Sequence, residues 1–307
     1  QFQIQMLLFD HYSMHKSRFF HKKDAPTAMN GYLRIGFLLL LPLLAFGQDY
    51  NAVSYQYYSI NDGLSDRLVN DIEQTEDGFI WLATSNGLNK FDGYEFVVFD
   101  NTIGNANFIS DINIDRLEVN KQGNLVLVYH NNLFFFDILN PRTHEVSKVD
   151  LLPENGLRGI VRQVGVSATG EIFVLASNTE GIYLHQYAEA TGRFEMLFQI
   201  RERRSRQTSF IKILSLQNGS YLLNDGERGL RLLDENGTVL KRFSTADFIG
   251  LDTLSHFPNE TFIMKNDALG RVWLSFRQNP GIYQYEPAQQ VFYLNNKLPV
   301  LTNYSQV

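Results

Sequence analysis

Five glycines that recur at almost constant spacing constrain the fold of this chain more than any other feature. The series is Gly78, Gly123, Gly170, Gly219 and Gly270, with intervals of 45, 47, 49 and 51 residues. Three positions after each glycine comes a large apolar residue, and these are Trp81, Val126, Phe173, Leu222 and Trp273. A repeat of this length that carries several short strands is typical of propeller blades.

Each repeat contains four predicted strands, most clearly in the first repeat. Its strands and turns are Val69–Glu73, Asp77-Gly78, Phe79–Leu82, Asn86-Gly87, Leu88–Phe91, Asp92-Gly93 and Phe96–Phe99. Asx-Gly pairs favour tight turns because glycine, and less readily Asn and Asp, adopts positive φ. A strand also precedes the first turn of every later repeat: Ile114–Val119, Val161–Val166, Phe210–Leu216 and Phe262–Lys265.

These repeats predict an all-β fold, a β-propeller built of four-stranded antiparallel blades. The five blades span residues 66–101, 110–150, 160–200, 209–244 and 260–295. A single four-stranded sheet leaves two faces uncovered, and stacking successive sheets around an axis covers both. We therefore expect the large residue after each glycine to fill the space between neighbouring blades.

The sequence leaves the closure of the ring open. The segment Val53–Ile60 reads as a strand that belongs to none of the five repeats. It could complete the last blade of a closed five-bladed ring. We favour an incomplete ring whose chain continues beyond Val307 with further blades, because propellers have about four to eight of them.

The N-terminal region predicts export. Residues 29–47 read as a secretory signal peptide, with Arg34 ahead of an apolar run and small residues before a cut near Gly47. The run Ile35–Phe46 would form a helix of about 18 Å, shorter than a hydrocarbon core of about 30 Å. The alternatives are a short membrane anchor and a buried helix.

The remaining boundaries follow from the signal peptide. The chain begins with Gln1 instead of Met, and residues 1–28 read as an upstream extension that is disordered or not translated. The mature propeller spans residues 48–307. We expect it in the periplasm or elsewhere outside the cytoplasm.

Composition excludes several classes of function. The chain has no cysteine, which excludes disulfides, thiolate chemistry and cysteine metal sites. Its formal net charge of −6 gives no basic footprint for nucleic acid. With 44% hydrophobic and 13% aromatic residues, it can build a substantial core that is rich in strands.

No catalytic, cofactor or metal site is predicted. The four histidines of the mature chain lack metal-binding spacing and read as surface or loop residues: His130, His144, His185 and His256. The carboxylate pairs Glu76-Asp77 and Asp234-Glu235 fall in predicted turns, where Asp is a common turn former. The sequence identifies no ligand-contacting residue, and we expect a ligand at the mouth of the ring.

Two further features have a functional and a structural interpretation. The basic run Arg201–Arg206 could grip an anion, and it is more typical of a solvated loop. Trp81 and Trp273 could stack on sugar rings, but their place in the repeat favours packing between blades.

Residues 58–101 resemble the first repeat of the two-component regulator propeller family. The motifs that carry the resemblance are NDGLS at 61–65, DGFIWLAT at 77–84, NGLNKFDG at 86–93 and the closing strand at 96–99. The later repeats depart from the pattern, for example at Asn132 and at Tyr221. The resemblance implies a periplasmic sensor region that precedes a transmembrane helix and a cytoplasmic output, usually a histidine kinase of a phosphorelay. It also implies an oligosaccharide ligand and a homodimer of the full-length protein.

The sequence therefore predicts an extracytoplasmic ligand-sensing propeller of a two-component signalling protein, with no enzymatic activity in this fragment. One alternative is a secreted propeller enzyme, such as a lyase or a glycosidase, which would need acid and base groups that converge on the channel. The other alternative is an adhesion or scaffold propeller.

Overall fold

The computed structural model describes residues 56–130, 134–203, 211–226, 228–250, 261–267, 269–276 and 281–295. The chain divides into two units, residues 1–58 and 59–307. In the first unit only residues 56–58 are described, and they have no regular secondary structure. The predicted signal peptide at 29–47 and the extension at 1–28 lie outside the described residues.

The second unit consists of short antiparallel strands. Blade one contains β1 (Val69–Gln74), β2 (Ile80–Thr84), β3 (Gly87–Phe91) and β4 (Phe96–Phe99). Blade two contains β5 (Ile114–Val119), β6 (Leu125–Tyr129), β7 (Phe135–Leu139) and β8 (Val146–Asp150). Blade three contains β9 (Ile160–Val166), β10 (Ile172–Asn178), β11 (Gly181–Ala188) and β12 (Arg193–Arg201). Blade four contains β13 (Ile211–Ser215), β14 (Tyr221–Asp225), β15 (Gly229–Leu233) and β16 (Val239–Arg242).

Blade five contains β17 (Phe248–Ile249), β18 (Thr261–Asn266), β19 (Val272–Phe276), β20 (Ile282–Glu286) and β21 (Val291–Leu294). Four of these strands form the antiparallel sheet, and β17 pairs in parallel with its outer strand β21. The helical elements of the described residues are three 3₁₀ turns of three residues each: Ile60–Asp62, Pro153–Asn155 and Thr245–Asp247. The five sheets form a ring, a five-bladed β-propeller, which confirms the predicted all-β propeller of four-stranded blades. The expectation of an incomplete ring is not met, because Lys265 of blade five lies 2.7 Å from Asp71 of blade one.

The strand predicted at Val53–Ile60 is wrong for the part that the structure describes. Residues 56–59 are irregular, and a 3₁₀ helix begins at Ile60. The reason is local, because the Ser59 N–H donates to Asp62 Oδ2 at 2.8 Å and Ser59 Oγ accepts from the Asn61 N–H at 3.2 Å. Such side-chain bonds to the backbone compete with strand pairing.

Apolar clusters fill the spaces between neighbouring blades, as the repeat predicts. The large residues after the turn glycines are buried in four of these spaces, in order Trp81, Val126, Phe173 and Leu222. Trp273, the equivalent residue of blade five, is only half-buried. Burial between sheets is therefore the main packing interaction that orders the blades.

Candidate functional site

The first strand of each blade lines the centre of the ring. The strands β1, β5, β9, β13 and β18 are edge strands of their sheets, and each of the first four lies next to the next strand of this series. Side chains that project from these strands therefore share one channel. A channel of this kind lets several blades contact the same ligand.

Channel residues that stand the same number of sequence positions before the turn glycine of their repeat lie at the same depth in the channel. Five positions before the glycine stand Glu73, Glu118, Gly165, Leu214 and Lys265, and seven positions before it in blades one to four stand Asp71, Arg116, Gln163 and Lys212. Bulges interrupt the strand pairing beside Asp71 and Arg116, and bulges can re-aim side chains. We call Asp71, Glu73, Arg116, Glu118, Lys212 and Lys265 the channel cluster. Sequence reasoning named none of them as a site, although their constant spacing was visible.

Some channel side chains also join neighbouring blades. Asp71 Oδ2 accepts from the Leu117 N–H at 3.1 Å, and Glu118 Oε2 accepts from a backbone N–H of blade three. Gln163 Oε1 accepts from the Ile213 N–H at 2.9 Å, and the Gln163 amide donates to the Ile213 carbonyl at 3.0 Å. These bonds satisfy edge-strand backbone groups that would otherwise lack partners.

Lys265 links the last described blade to the first. Its Nζ lies 2.7 Å from Asp71 Oδ1 and 3.9 Å from Glu73 Oε1. Burial works to lower the pKa of Lys265, but the attraction of Asp71 and the other nearby carboxylates raises it above its ordinary value. Lys265 is therefore a charged lysine whose positive charge is balanced by carboxylates of the same chain.

Two glutamates of the channel cluster hold their protons unusually tightly. Burial, with Lys265 opposing it and Asp71 adding to it, raises the pKa of Glu73 to about 7. Burial also raises the pKa of Glu118, against the attraction of Arg116. Perturbed carboxyl groups in a cleft mark candidate functional sites, and ion-pair networks perturb pKa values in the same way.

Lys212 has the opposite shift. Burial and the charge of Arg116 lower its pKa, while Asp115 acts to raise it. Arg116 itself donates through Nη2 to the Val164 carbonyl at 2.9 Å, which fixes its guanidinium group. Arg116 belongs to blade two and Lys212 to blade four.

The structure does not bring the described histidines together. His130 is exposed, and its Nδ1 lies 3.4 Å from Asp115 Oδ1. His144 is a half-buried turn residue whose Nε2 lies 3.4 Å from Lys90 Nζ. Burial and the Lys90 charge lower the pKa of His144. His256 lies outside the described residues.

The prediction that His185 lies at the surface or in a loop is wrong. His185 belongs to β11 and is fully buried between blades two and three. Its Nε2 accepts from the Arg158 N–H at 3.3 Å, and its ring stacks on Tyr183 at 6.3 Å between centroids. Burial lowers its pKa, so the neutral ring packs much like an aromatic core residue.

The basic run at 201–206 is only partly a solvated loop. Residues 204–206 lie outside the described residues. The Glu202 side chain is 10% exposed, and it accepts from Arg228 Nη1 at 2.8 Å and from Arg231 Nη1 at 2.9 Å. Arg231 also pairs with buried Asp225. The start of the run is thus anchored in a buried ionic cluster of blade four, which its sequence did not indicate.

The two tryptophans have different environments. Trp81 is fully buried, so it packs between blades and is not available for stacking on a ligand. Trp273 is half-buried, and its indole N–H donates to Asp267 Oδ2 at 2.9 Å. The guanidinium carbon of Arg271 lies 5.4 Å from its ring centroid. Packing is therefore the role of Trp81, as the repeat predicted.

The carboxylate pairs occupy turns, as predicted. Asp77 Oδ1 accepts from the Thr75 hydroxyl at 2.5 Å, and Asp234 Oδ1 accepts from the Asn236 N–H at 3.0 Å. Glu76 and Asp77 also line a polar crevice of about 110 Å³ between turns of blades one and two. Among the described residues, no three His, Asp or Glu side chains are placed to hold a metal ion. None of the helices in that part of the chain is long and apolar enough to cross a bilayer.

No family model matches the chain. The chain is similar to a histidine kinase of Formosa agariphila, with 47% identity over 49 residues. That match covers 16% of this chain and 4% of the kinase. It relates a short stretch of this chain to a much longer signalling protein.

Two solved structures share the fold. One is the extracellular domain of a hybrid two-component system from B. thetaiotaomicron, with a TM-score of 0.54, 21% identity, and coverage of 77% of this chain and 31% of that one. The other is a virginiamycin B lyase from Staphylococcus aureus, with a TM-score of 0.54, 10% identity, and coverage of 83% and 76%. The chain is therefore a β-propeller similar in fold to the extracellular domain of that hybrid two-component system, and it spans about a third of that domain.

Proposed function

We propose that residues 48–307 form the extracytoplasmic ligand-sensing module of a two-component signal transduction protein. The observation that carries the proposal is the 47% identity with a histidine kinase over 49 residues. The propeller fold shared with an extracellular domain of a hybrid two-component system supports it. In this proposal a signal peptide at 29–47 directs export and is removed near Gly47, and the sensor acts in the periplasm.

The proposed ligand is an oligosaccharide that binds at the mouth of the ring. A ligand can shift a receptor between two states only when it binds one of them more tightly. The channel offers a physical route for such a difference, because Lys265 and Asp71 join blade five to blade one. A ligand that contacts several blades would change the relative free energies of their arrangements, and a homodimer of the full-length protein would pass the change to a kinase.

Two experiments test the proposal. Sequencing the reading frame downstream of Val307 should give a transmembrane helix and a kinase or a related output domain, whereas an immediate stop codon with no such segment would contradict it. Calorimetry of the purified propeller against a glycan panel should find a saturable ligand.

A second candidate function is a propeller enzyme, and one observation favours it. The pKa of Glu73 is raised to about 7, and a general acid or base works best when its pKa is near the ambient pH. The sensor proposal instead gives Glu73 an electrostatic role beside Lys265 and no catalytic one. Glycan turnover by the purified chain that disappears in Glu73→Gln would establish the enzyme and refute the non-catalytic proposal.

A further inference from the structure

Every blade buries one polar residue at the same place on its third strand. The place is the position paired with the second-strand residue that stands four positions after the turn glycine. The five residues found there are all fully buried: Asn89, Asp137, His185, Arg231 and Tyr283. Because a polar group removed from water is costly without a hydrogen-bond partner, a partner is expected in each blade.

In blades one and two, the partner is a serine of the segment that leads into the blade. We call the residues immediately before the first strand of a blade its entry segment. The Ser65 N–H donates to Asn89 Oδ1 at 2.8 Å, and Asn89 Nδ2 donates back to Ser65 Oγ at 2.7 Å. The Ser110 N–H donates to Asp137 Oδ2 and its hydroxyl to Asp137 Oδ1, both at 2.8 Å. Two bonds to one serine fix both its position and its orientation.

Blades three and four make the same contact with different chemical groups. The Arg158 N–H donates to His185 Nε2 at 3.3 Å. Arg231 Nη1 and Nη2 donate to the two carboxylate oxygens of Glu202, at 2.9 and 3.3 Å. In all four blades the bonded residues are 24 to 29 positions apart. The blades therefore share the contact and not the residue type.

Blade five has the buried residue without the bond. The hydroxyl of Tyr283 has no hydrogen-bond partner within the described part of the chain. Its ring packs in the apolar cluster between blades four and five. Tyr283 thus matches the other four residues in position and burial, and it provides a control for the effect of the bond itself.

We infer that Asn89, Asp137, His185 and Arg231 are positioning residues, each of which fixes the entry segment of its own blade and thereby one part of the mouth of the channel. The entry segments lead into the first strands, which line the channel, so they lie at its opening. The inference rests on the proposed sensing function for what the mouth binds, and it adds the residues that shape the mouth. Segments that are fixed before a ligand arrives lower the entropic cost of binding it.

Asp137 gives the sharpest test, because a conservative substitution can keep its contacts. In the wild type the Ser110 N–H and the Tyr129 hydroxyl share Asp137 Oδ2, and the Ser110 hydroxyl donates to Oδ1. In Asp137→Asn the amide oxygen can accept the first two bonds, and the amide nitrogen can donate to Ser110 Oγ. Asp137→Leu keeps the branched shape and loses all three bonds. Hydrogen exchange followed by NMR reports on the Ser110 amide itself.

We expect the Ser110 amide to exchange about tenfold faster or more in Asp137→Leu, because a hydrogen bond to a charged group contributes that much. In Asp137→Asn its rate should stay near that of the wild type. Amides of β10 in blade three should be unaffected by either variant. Tyr283→Phe, which removes a buried hydroxyl without a partner, should leave all these rates unchanged.

The same test in blade one uses Asn89→Leu and the exchange of the Ser65 amide. It decides the inference by itself if Asp137→Leu does not fold, with faster exchange at Ser65 expected and an unchanged rate against the inference.

Three outcomes in blade two would overturn the inference. One is an unchanged rate at Ser110 in Asp137→Leu, and another is an equal acceleration in Asp137→Asn. The third is an equal acceleration at Ser110 and throughout β10, because the contact would then support the whole fold and not the entry segment. None of these outcomes depends on a ligand, so the downstream reading frame still decides the sensor proposal separately.

Discussion

Replacing Trp81 with alanine tests whether packing between blades holds this propeller together. Trp81 is fully buried between blades one and two, with its ring centroid 5.4 Å from that of Phe99. Its indole N–H also donates to Thr75 Oγ1 at 3.1 Å. Truncating a buried Trp or Phe to alanine costs about 3–5 kcal/mol. We therefore expect the free energy of unfolding to fall by about 4 kcal/mol, which lowers Tm by roughly 8–16 °C in a chain of this size.

Trp273→Ala is the matched control, since Trp273 has the same place in the fifth repeat but is only half-buried. We expect it to cost about 1–2 kcal/mol. Urea unfolding followed by far-ultraviolet circular dichroism compares the two variants without relying on tryptophan fluorescence. If Trp81→Ala costs less than about 1 kcal/mol, or no more than Trp273→Ala, the proposed role of the inter-blade clusters is refuted.

Three further results are expected. Gly87→Ala should lower the free energy of unfolding by more than about 2 kcal/mol, because its φ is +117° and a Cβ would lie 2.6 Å from a backbone oxygen, whereas Gly78→Ala, at φ +87° in open space, should cost less; equal losses would contradict this. Glu118→Ala should speed hydrogen exchange of the Val166 amide, which loses its acceptor, and an unchanged rate would count against that bond. The raised pKa of Glu73 means that the folded state holds its proton more tightly, so the wild type should lose stability relative to Glu73→Gln as pH rises from 4.5 to about 7; a constant difference would disprove the shift.

The strands were predictable because two local signals coincide in every repeat. Strands Ile114–Val119 and Phe96–Phe99 were predicted with their observed bounds, since β-branched and aromatic runs end at polar turns. The glycine spacing then indicated stacked sheets. The strand prediction at 53–60 was wrong because the aromatic composition of this segment favours a strand, whereas the Ser59 and Asp62 side chains favour a 3₁₀ turn.

The channel and the buried polar groups were not predictable from local pattern. Lys265 and Asp71 are 194 positions apart, so only the closing of the ring brings them together. The burial of His185 depends on the face of β11 that meets blade two, which a polar residue in a strand does not reveal. In each case the interaction belongs to the assembly of blades and not to any single repeat.

Cross-linking blade five to blade one measures the arrangement of the ring most directly. The chain has no cysteine, so Asp71→Cys with Lys265→Cys introduces one unique pair. A short bismaleimide should join the two positions within one molecule in high yield, as peptide mass spectrometry would show. The control pair Lys148→Cys with Lys265→Cys, which combines an outer strand of blade two with the channel, should not be joined. Absence of the first cross-link, or equal yields for both pairs, would contradict the convergence of the first strands on one channel.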